Sequence, residues 1–541
     1  MLPHEQFRHL AETRPNAPFL HSFKGKTQKT LTYSDCYQRS LQMARALSEL
    51  DLNRPSPVVI LSTNCPEWIL GDLAIWMAGH YSVPLYPTLK PESVLELIHH
   101  SEAKVVLLGH YPHWRELRKT LPDDIQVYSL VDPPPMEAIT FPNGPEQDSQ
   151  ELDQELQSLA SIIYTSGTTG VPKGVMHNFQ SMLAAPLAGI ERFQLNENDR
   201  FFSYLPLAHI AERGIILMGS LYSGGQVYFL EKLERLSENL ATARPTVFMG
   251  VPRVWVKMRS KIELKTSNPL MKIALKLPLA GHKLKKIILT KLGFDQIKLA
   301  ITGAAPIAKE DILWWQTMGI NLVEIYGMTE NFGHGTATDP NHYVEGSVGQ
   351  AWPGAQVTIG DNNEVLLGGP GLMQGYFKNE QLTQEALNEE GLLKSGDQGL
   401  MDKQGNLYLT GRVKDLFKTA KGKFVTPGPI EKRILAHELI EMACIIGNGM
   451  SYPVALIELK ESHGQNDSEI QNELNQFLGV INAQSEHFER LACFVVLKQG
   501  FASQNNFLTP TMKIKRSVVD KHFQQQVEKW IEGRAKTIFI N

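Results

Sequence analysis

The sequence predicts an α/β fold: a large N-terminal region of several subdomains with parallel and mixed sheets, followed by a small α+β C-terminal domain. The chain has 541 residues, which is too long for a single hydrophobic core. Strand-like and helix-like segments alternate in its first third, a pattern typical of parallel strands joined by crossover helices. After Gly411 the strand-like runs become shorter and alternate with polar helical segments. We therefore predict two domains, 1–413 and 414–541.

The predicted elements follow from apolar runs and helical periodicity. Strands are predicted at Pro57–Leu61, Val83–Leu85, Val105–Leu108, Ser161–Ile163, Met442–Ile446, Val454–Leu459 and Ala492–Val496. Helices are predicted at Glu67–Ala78, Glu92–His100 and Asn178–Leu187. A stretch rich in Pro, Gly, Glu and Gln at 133–157 lacks periodicity, which indicates an exposed connector.

Composition narrows the class of protein. A hydrophobic content of 42%, a charged content of 20% and a net charge of −4 are ordinary for a globular enzyme and argue against nucleic-acid binding. The four cysteines lie far apart, which argues for a reducing compartment and against structural zinc or disulfides. The N-terminus lacks the apolar segment of a signal peptide, and we find no run long enough to span a bilayer. We therefore expect a cytoplasmic enzyme.

The most informative stretch is a loop with the sequence YTSGTTGVPKG at 164–174. Its glycines allow close approach of backbone N–H groups to phosphate oxygens, while its hydroxyls and lysine add donors and positive charge. It is not a Walker loop, because Lys173 is followed by glycine rather than Ser or Thr. The alternative is an ordinary turn between a strand and a helix. The density of hydroxyls favours ATP binding.

This loop resembles the signature YTSGTTGxPKGV of the AMP-forming adenylate enzymes, which include acyl-CoA synthetases, firefly luciferase and peptide-synthetase adenylation domains. Five further segments resemble the family's motifs in the same order: ITGAAP at 301–306, YGMTE at 326–330, SGD at 395–397, GRVKD at 411–415 and LTPTMKIKR at 508–516. The sequence is thereby identified as a member of this superfamily.

The resemblance implies a site that uses ATP, Mg²⁺ and, as second substrate, CoA. It assigns the ATP phosphates to Thr165, Ser166, Gly167, Thr168, Thr169, Gly170 and Lys173. It assigns the adenosine part to Gly303, Ala304, Ala305, Pro306, Tyr326, Gly327, Asp397 and Arg412, with Tyr326 stacked on adenine and Asp397 on the ribose hydroxyls. It assigns the metal to Glu330 and the α-phosphate to Thr329.

The resemblance also implies how the second domain takes part. Lys513 is expected to bridge the substrate carboxylate and the α-phosphate during adenylation. Lys414 is expected to be the hinge about which a mobile C-terminal domain rotates between two half-reactions. Lys418 and Gly422 fall in the region assigned to CoA, and Gly422 lies ten positions after Arg412, which matches the spacing of the long-chain branch. Lys421 and Lys423 depart from that branch, in which acidic or polar residues are common.

Two more segments indicate the substrate. PLAHIAER at 206–213 and GVPRVW at 250–255 resemble motifs of the long-chain fatty acyl-CoA synthetases. By this resemblance His209 lies near the acyl carboxylate and Trp255 gates an acyl tunnel. The alternative, that these are core residues on a strand and turn, applies better to Leu205 and Leu207 than to Trp255. The predicted function is ATP-dependent activation of a medium- to long-chain fatty acid and its transfer to CoA.

Three alternatives stay open at this point: an acyl-AMP ligase or acyl–carrier-protein synthetase that uses a protein thiol, a peptide-synthetase module, and a catalytically silent lipid- or nucleotide-binding protein. The absence of a carrier domain after Lys513 argues against the module. Retention of Lys173, Glu330, Asp397 and Lys513 argues against the silent protein.

A basic segment suggests a further partner. Residues 253–298 contain twelve Lys or Arg against Glu263 and Asp295, a net charge of +10, with apolar residues between the lysines. Such a stretch can lie on an anionic membrane, so we expect the enzyme to contact the membrane peripherally. The alternative is a solvated basic face. Pro278 is expected to interrupt any single long helix here.

Overall fold

The computed structural model describes residues 1–131, 139–141, 154–165, 173–266, 268, 274–275, 277–460, 466–502, 507–508 and 514–540. Most of the predicted connector at 133–157 lies outside these residues, as do Ser166, Gly167, Thr168, Thr169, Gly170 and Lys513. Within the described residues, no helix combines the length and the apolar character needed to cross a bilayer.

The largest sheet has nine strands and a parallel centre. In spatial order the strands are β15 (Gln350–Ala351), β14 (Thr336–Ala337), β13 (Leu322–Tyr326), β12 (Leu299–Gly303), β11 (Val247–Gly250), β9 (Arg200–Ser203), β10 (Gln226–Phe229), β1 (Pro18–Lys24) and β2 (Thr27–Thr32). The pairs from β13 to β1 are parallel, and the outer strands β2, β14 and β15 pair antiparallel. The carboxyl ends of β11, β12 and β13 therefore meet at one edge.

A second large sheet has seven strands. Their spatial order is β18 (Gly375–Tyr376), β8 (Lys173–Asn178), β7 (Leu159–Thr165), β4 (Tyr81–Leu85), β3 (Pro57–Leu61), β5 (Val105–Leu108) and β6 (Gln126–Ser129). The five strands from β7 to β6 are parallel, while β8 and β18 are antiparallel additions. A shared apolar cluster, including Ile60, Ile163, Phe201 and Val247, lies between this sheet and the nine-stranded one.

Three smaller sheets complete the chain. An antiparallel sheet contains β16 (Gln356–Ile359), β17 (Glu364–Gly368), β19 (Leu393–Met401) and β20 (Leu407–Arg412). A hairpin pairs β21 (Phe417–Lys418) with β22 (Phe424–Val425). The C-terminal sheet contains β23 (Ile440–Ile446), β24 (Val454–Leu459), β25 (Phe494–Leu497) and β26 (Thr537–Ile540), with apolar clusters on both faces.

The helices pack on these sheets. They are α1 (Pro3–Thr13), α2 (Tyr33–Ser48), α3 (Pro66–Met77), α4 (Pro91–Ser101), α5 (Trp114–Arg118), α6 (Phe179–Phe193), α7 (Ile210–Glu212), α8 (Gly219–Ser223), α9 (Leu236–Ala243), α10 (Pro252–Lys265), α11 (Pro278–Leu292), α12 (Lys309–Met318), α13 (Glu380–Ala386), α14 (Pro427–Leu435), α15 (Asp467–Ala483) and α16 (Arg516–Glu532). Proline in the first turn starts several of them, because its missing N–H has no helical partner there. A π-helical stretch, Arg213–Met218, joins α7 to α8.

The architecture confirms the predicted α/β class with a small α+β C-terminal part. The strands predicted at Pro57–Leu61 and Val105–Leu108 have the observed bounds, and Pro278 begins α11 rather than extending α10. One strand was not predicted. Residues Lys173–Asn178 form β8, so the phosphate loop joins two antiparallel strands, with Thr165 opposite Lys173, and the helix predicted at Asn178–Leu187 follows as α6.

Candidate active site

The segment predicted to hold adenine follows the carboxyl end of β12. Gly303 pairs with Ile325 of β13. A side chain at Gly303 would place its Cβ 2.9 Å from the Ile325 carbonyl oxygen, so the close approach of the two strands requires glycine. The next residue, Ala304, has a φ of 68°, which is unusual for alanine and turns the chain sharply. Ala305 and Pro306 are exposed beyond this turn.

Three predicted nucleotide residues meet around one carboxylate. The Tyr326 hydroxyl donates to Asp397 Oδ2 at 2.9 Å, and Arg412 Nε donates to Asp397 Oδ1 at 2.8 Å. Asp397 lies on β19 and Arg412 opposite it on β20. The Asp397 carboxylate holds the pKa of Arg412 above its usual range, so the guanidinium stays charged. A carboxylate has about four lone-pair sites, which leaves two for ribose hydroxyls.

Hydrogen bonds with Asn331 and His177 hold the turn that carries Thr329 and Glu330. The Asn331 side chain accepts from Met328 N–H at 2.9 Å and closes the turn Thr329–Asn331. His177 Nε2 lies 2.7 Å from the Thr329 carbonyl oxygen, and its Nδ1 lies 2.9 Å from Ser181 Oγ. Because a carbonyl only accepts, His177 carries its proton on Nε2. Burial lowers the pKa of His177 to about 4, so the ring stays neutral.

Glu330 and Lys173 share one aromatic partner. The Tyr376 hydroxyl donates to Glu330 Oε1 at 2.8 Å, and Lys173 Nζ lies 5.3 Å from the centroid of the Tyr376 ring. Tyr376 belongs to β18, which pairs with β8 immediately beyond Lys173. Tyr376 thus contacts the predicted metal residue through its hydroxyl and the lysine of the phosphate loop through its ring. The motif at 326–330 contains no hint of Tyr376.

A fourth group of contacts organises the turn that carries His209. Asn64, in the loop after β3, donates to the Leu205 carbonyl at 2.6 Å and accepts from Leu207 N–H at 3.1 Å. His209 caps α7, with its Nδ1 accepting from Ala211 N–H at 3.2 Å. The other ring nitrogen therefore carries the proton of a neutral His209. Asn64 lies far away in sequence and was not predicted.

Glu212 ends this turn as a fully buried carboxyl. Its Oε1 accepts from Tyr204 N–H at 2.9 Å, while its Oε2 has no hydrogen-bond partner among the described residues. Burial raises the pKa of Glu212 to about 8, so the group is mostly protonated at neutral pH.

We expect Glu212→Gln to remove a pH-dependent loss of stability. A carboxyl whose folded pKa is about 8 and whose ordinary value is 4.5 destabilises the fold progressively as pH rises between those values. The loss is on the order of 3–5 kcal/mol when complete. In thermal unfolding measured from pH 5 to pH 9, the Tm of the variant should exceed that of the wild type as pH rises. Parallel profiles would exclude this role, since the other buried carboxyls are common to both proteins.

Next to Glu212, Arg213 forms a fully buried ion pair. Its Nε and Nη2 donate to the two oxygens of Asp72 at 2.9 and 2.7 Å, and its guanidinium also donates to Ser161 and Ser82 at 2.6 Å. Asp72 lies on α3, and the two serines lie on β7 and β4. The pair thus ties the His209 turn to the seven-stranded sheet. Every charge is matched, as burial requires.

Trp255 is completely buried in the present arrangement. Its indole N–H donates to the carbonyls of Gly250 and Ile301 at 3.0 and 3.1 Å. Phe248, Phe294 and Trp315 surround the ring. Trp255 therefore lies in this structure as a core residue. Its role as a gate of the acyl tunnel stays a prediction, and opening the gate requires both hydrogen bonds of the indole N–H to break.

The predicted hinge lies between two anchored residues. Arg412 is bound to Asp397, as described above, whereas the Asp415 carboxylate accepts from Arg516 Nε of α16 at 3.1 Å. Only 413 and 414 separate these anchors. Downstream, Lys418 lies on β21 and Gly422 occupies the hairpin turn with a φ of 75°. Lys418 Nζ lies 5.6 Å from the centroid of the exposed Phe424 ring.

The structure thus brings Tyr326, Asp397 and Arg412 together, and it brings Glu330 and Lys173 to the common partner Tyr376. The residues outside the described part are Ser166, Gly167, Thr168, Thr169, Gly170 and Lys513, and they stay predictions. Sequence reasoning missed Tyr376, His177 and Asn64. His177 follows the phosphate loop closely, which is the one positional signal that could have drawn attention to it.

Comparison with known proteins identifies the family. A family model described as AMP-binding enzyme matches residues 7–377, and one described as AMP-binding enzyme C-terminal domain matches residues 414–534. Among similar proteins, the long-chain-fatty-acid–CoA ligase FadD15 of Mycobacterium bovis is 30% identical, over 90% of this chain and 89% of that protein. The long-chain-fatty-acid–CoA ligase ACSBG2 of Xenopus laevis is 28% identical, over 98% of this chain and 83% of that protein.

Solved structures show the same fold at lower identity. ATP-bound MatB from Rhodopseudomonas palustris superposes with a TM-score of 0.77 at 21% identity, covering 97% of this chain and 100% of that chain. The o-succinylbenzoate CoA synthetase MenE from Bacillus subtilis, in complex with its acyl-adenylate OSB-AMP, has a TM-score of 0.74 at 20% identity, covering 95% and 97%. The chain therefore belongs to the AMP-binding enzyme family, on the branch of the long-chain-fatty-acid–CoA ligases.

Proposed function

We propose that this protein is an AMP-forming fatty acid–CoA ligase. It activates a medium- to long-chain fatty acid with ATP, releases pyrophosphate, and transfers the acyl group from acyl-AMP to CoA. The observation that carries the proposal is the meeting of Tyr326, Asp397 and Arg412 around one carboxylate, beside the turn of Thr329 and Glu330. These residues come from separate motifs that match the family in order.

In the first half-reaction the fatty acid carboxylate attacks the α-phosphorus of ATP. The two reactants are both negative, so positive charge must offset their repulsion. In the proposed site Lys173 holds the departing phosphates, Thr329 holds the α-phosphate, and Lys513 bridges the incoming carboxylate and the α-phosphate. Asp397 and Arg412 hold the ribose, with Tyr326 beside adenine. His209 orients the acyl carboxylate, and the rigid turn around Asn64 keeps its ring in place.

The donor set around Glu330 suits a magnesium ion that arrives with ATP. Magnesium commonly binds through one or two carboxylates together with substrate phosphates. Among the described residues no group of three His, Cys, Asp or Glu could hold a metal ion by itself. Glu330 presents one such carboxylate, oriented by Tyr376. When bound there, the ion would neutralise charge on the phosphates.

In the second half-reaction the CoA thiol attacks the acyl-AMP carbonyl and releases AMP. We propose that residues 414–541 rotate about Lys414 before this step, carrying Lys513 away and bringing Lys418 and Gly422 toward the site. The close spacing of the anchored residues Arg412 and Asp415 supports a hinge of two residues.

The test is a pyrophosphate-release assay across carboxylic acids of increasing chain length, with and without CoA. We expect release to require a medium- or long-chain fatty acid and thioester to form only with CoA. Release that persists without CoA and yields free acyl-AMP as end product would favour the acyl-AMP ligase. Transfer to a carrier-protein thiol in preference to CoA would favour the acyl–carrier-protein synthetase. No release with any acid would favour the silent binding protein.

We further propose that the enzyme contacts anionic membranes through α10 and α11. Lys283 and Lys286 of α11 are exposed, and so are the apolar side chains of Leu264 on α10 and Ile287 on α11. Two basic residues of the segment 253–298, Arg253 and Arg259, already form ion pairs with carboxylates within the protein. The exposed Lys283 and Lys286 can interact with lipid headgroups, at about 1 kcal/mol each near the surface.

Replacing Lys283, Lys285 and Lys286 by glutamate is expected to abolish co-sedimentation with anionic liposomes while leaving turnover of a water-soluble medium-chain acid nearly unchanged. The attraction is electrostatic, so wild-type binding should also weaken between 0.1 and 1 M salt, as the Debye length falls from about 10 to about 3 Å. The matched control reverses the exposed Lys521, Lys529 and Lys536 of the C-terminal part. Equal loss in both triple variants, or no wild-type binding at low salt, would favour a solvated basic face. A rise in the KM for ATP or CoA in the α11 variant would assign the lysines to those substrates.

A further inference from the structure

An ion-pair cluster connects the two domains through Arg253, a residue of the GVPRVW segment to which the resemblance assigns no role. Arg253 Nε donates to Glu441 Oε1 at 2.6 Å, and Arg253 Nη2 donates to Glu458 Oε1 at 3.0 Å. Arg253 belongs to α10 of the N-terminal domain, while Glu441 and Glu458 belong to β23 and β24 of the C-terminal sheet. The Arg253 side chain is 28% exposed and each glutamate side chain 11%. One arginine thus bridges two largely buried carboxylates of the other domain.

The position of Arg253 ties this cluster to the nucleotide end of the sheet. Arg253 follows directly after β11, whose last residue, Gly250, pairs with Thr302 of β12. The adenine segment begins one residue later, at Gly303. Arg253 therefore lies at the carboxyl edge at which Gly303 and Tyr326 end their strands.

On the other side, Glu458 reaches toward the segment that carries the C-terminal lysine. Its second oxygen, Oε2, accepts from Phe501 N–H at 2.7 Å. A short antiparallel bridge between Leu508 and Ile514, together with a 2.7 Å bond from Lys515 N–H to the Phe507 carbonyl, brings the two ends of 509–513 together. Glu458 is thus shared between Arg253 and the start of the chain leading to Lys513.

We propose that Arg253 is a positioning residue that clamps the C-terminal domain in the orientation used for adenylation, and that the clamp opens once per catalytic cycle. The two half-reactions invoked here rest on the proposed function. Because both glutamates are mostly buried, loss of Arg253 leaves two carboxylates uncompensated, which costs more than loss of a surface ion pair. The partly exposed arginine allows water to re-enter when the clamp opens. The clamp thereby favours one orientation without locking the domain.

The first test measures domain orientation directly and needs no activity. The four native cysteines are buried, so spin labels can be attached to cysteines introduced at the exposed positions Lys119 and Lys529. We expect one dominant distance in the otherwise wild-type protein and a second population in Arg253→Met. An unchanged distance distribution in the variant would overturn the clamp.

The second test separates the half-reactions. Arg253→Met is expected to slow acyl-AMP formation about tenfold, as loss of a partly buried charge pair does, while thioester formation from supplied acyl-AMP changes less than about twofold. The matched control, Arg259→Met, lies on the same helix but pairs with Glu263 and Asp311 inside the N-terminal domain. It should affect both steps equally. The double variant that combines Arg253→Glu with Glu441→Arg exchanges the two charges, and it should recover part of the lost rate of acyl-AMP formation.

The outcomes are distinguishable. A shift in distances with a selective loss of adenylation supports the clamp. Equal losses in both half-reactions, or a greater loss of transfer, would overturn the assignment to adenylation. A wild-type protein that activates no acid would refute the proposed function, and the distance measurement would still decide whether Arg253 holds the two domains together.

Discussion

Replacing Lys513 by alanine is expected to slow adenylate formation by a factor on the order of a hundred to a thousand. A lysine at the reacting phosphate stabilises negative charge that grows in the transition state, and removing one such donor costs about 3–4 kcal/mol. Thioester formation from supplied acyl-AMP should change far less, because Lys513 is expected to leave the site before that step. The measurement is pyrophosphate exchange for the first step and thioester formation for the second.

A matched variant guards against a general effect of charge. Lys515→Ala removes the same charge two positions along the chain, where the backbone bond from Lys515 N–H to the Phe507 carbonyl does not depend on the side chain. It should leave adenylation within a few-fold of the wild type. Equal losses in both half-reactions for Lys513→Ala, or equal losses in the two variants, would contradict the role assigned to Lys513.

Replacing Lys414 by proline is expected to leave adenylation active and to block transfer to CoA. Proline fixes φ near −65° and restricts the residue before it, so the two-residue link between Arg412 and Asp415 loses its freedom. Arg412 is held by Asp397 on one side of the link and Asp415 by Arg516 on the other, so no neighbouring residue can take over the rotation without breaking an ion pair. Single-turnover measurements of each half-reaction provide the test.

Lys414→Ala is the control, since alanine removes the side chain but keeps the backbone free. It should support both half-reactions. Transfer that survives in Lys414→Pro would place the hinge elsewhere, and loss of transfer in Lys414→Ala would assign Lys414 a role in binding CoA instead.

The sequence alone determined the fold class and the membership in the family, and it supplied the predicted nucleotide residues. Each of these depends on local information: apolar runs mark the buried parallel strands, and contiguous motifs follow strand ends, where parallel sheets bring them together. Gly303 and Gly327 show why such motifs can be read locally. A Cβ at either position would collide with a neighbouring backbone, at Ile325 or Gly333, so glycine is required by the chain itself.

Only the tertiary structure decided which distant side chains support the site. Tyr376 reaches Glu330 because β18 adds to the edge of β8, and Asn64 reaches the His209 turn from a loop of the other large sheet. The strand β8 itself was missed, because its residues lack a strong apolar alternation and are ordered by pairing with β7. In the sequence, Arg253 was counted as one charge of a basic segment. The structure shows that it forms ion pairs with Glu441 and Glu458. Contacts between residues far apart in sequence arise from packing, and no local pattern encodes them.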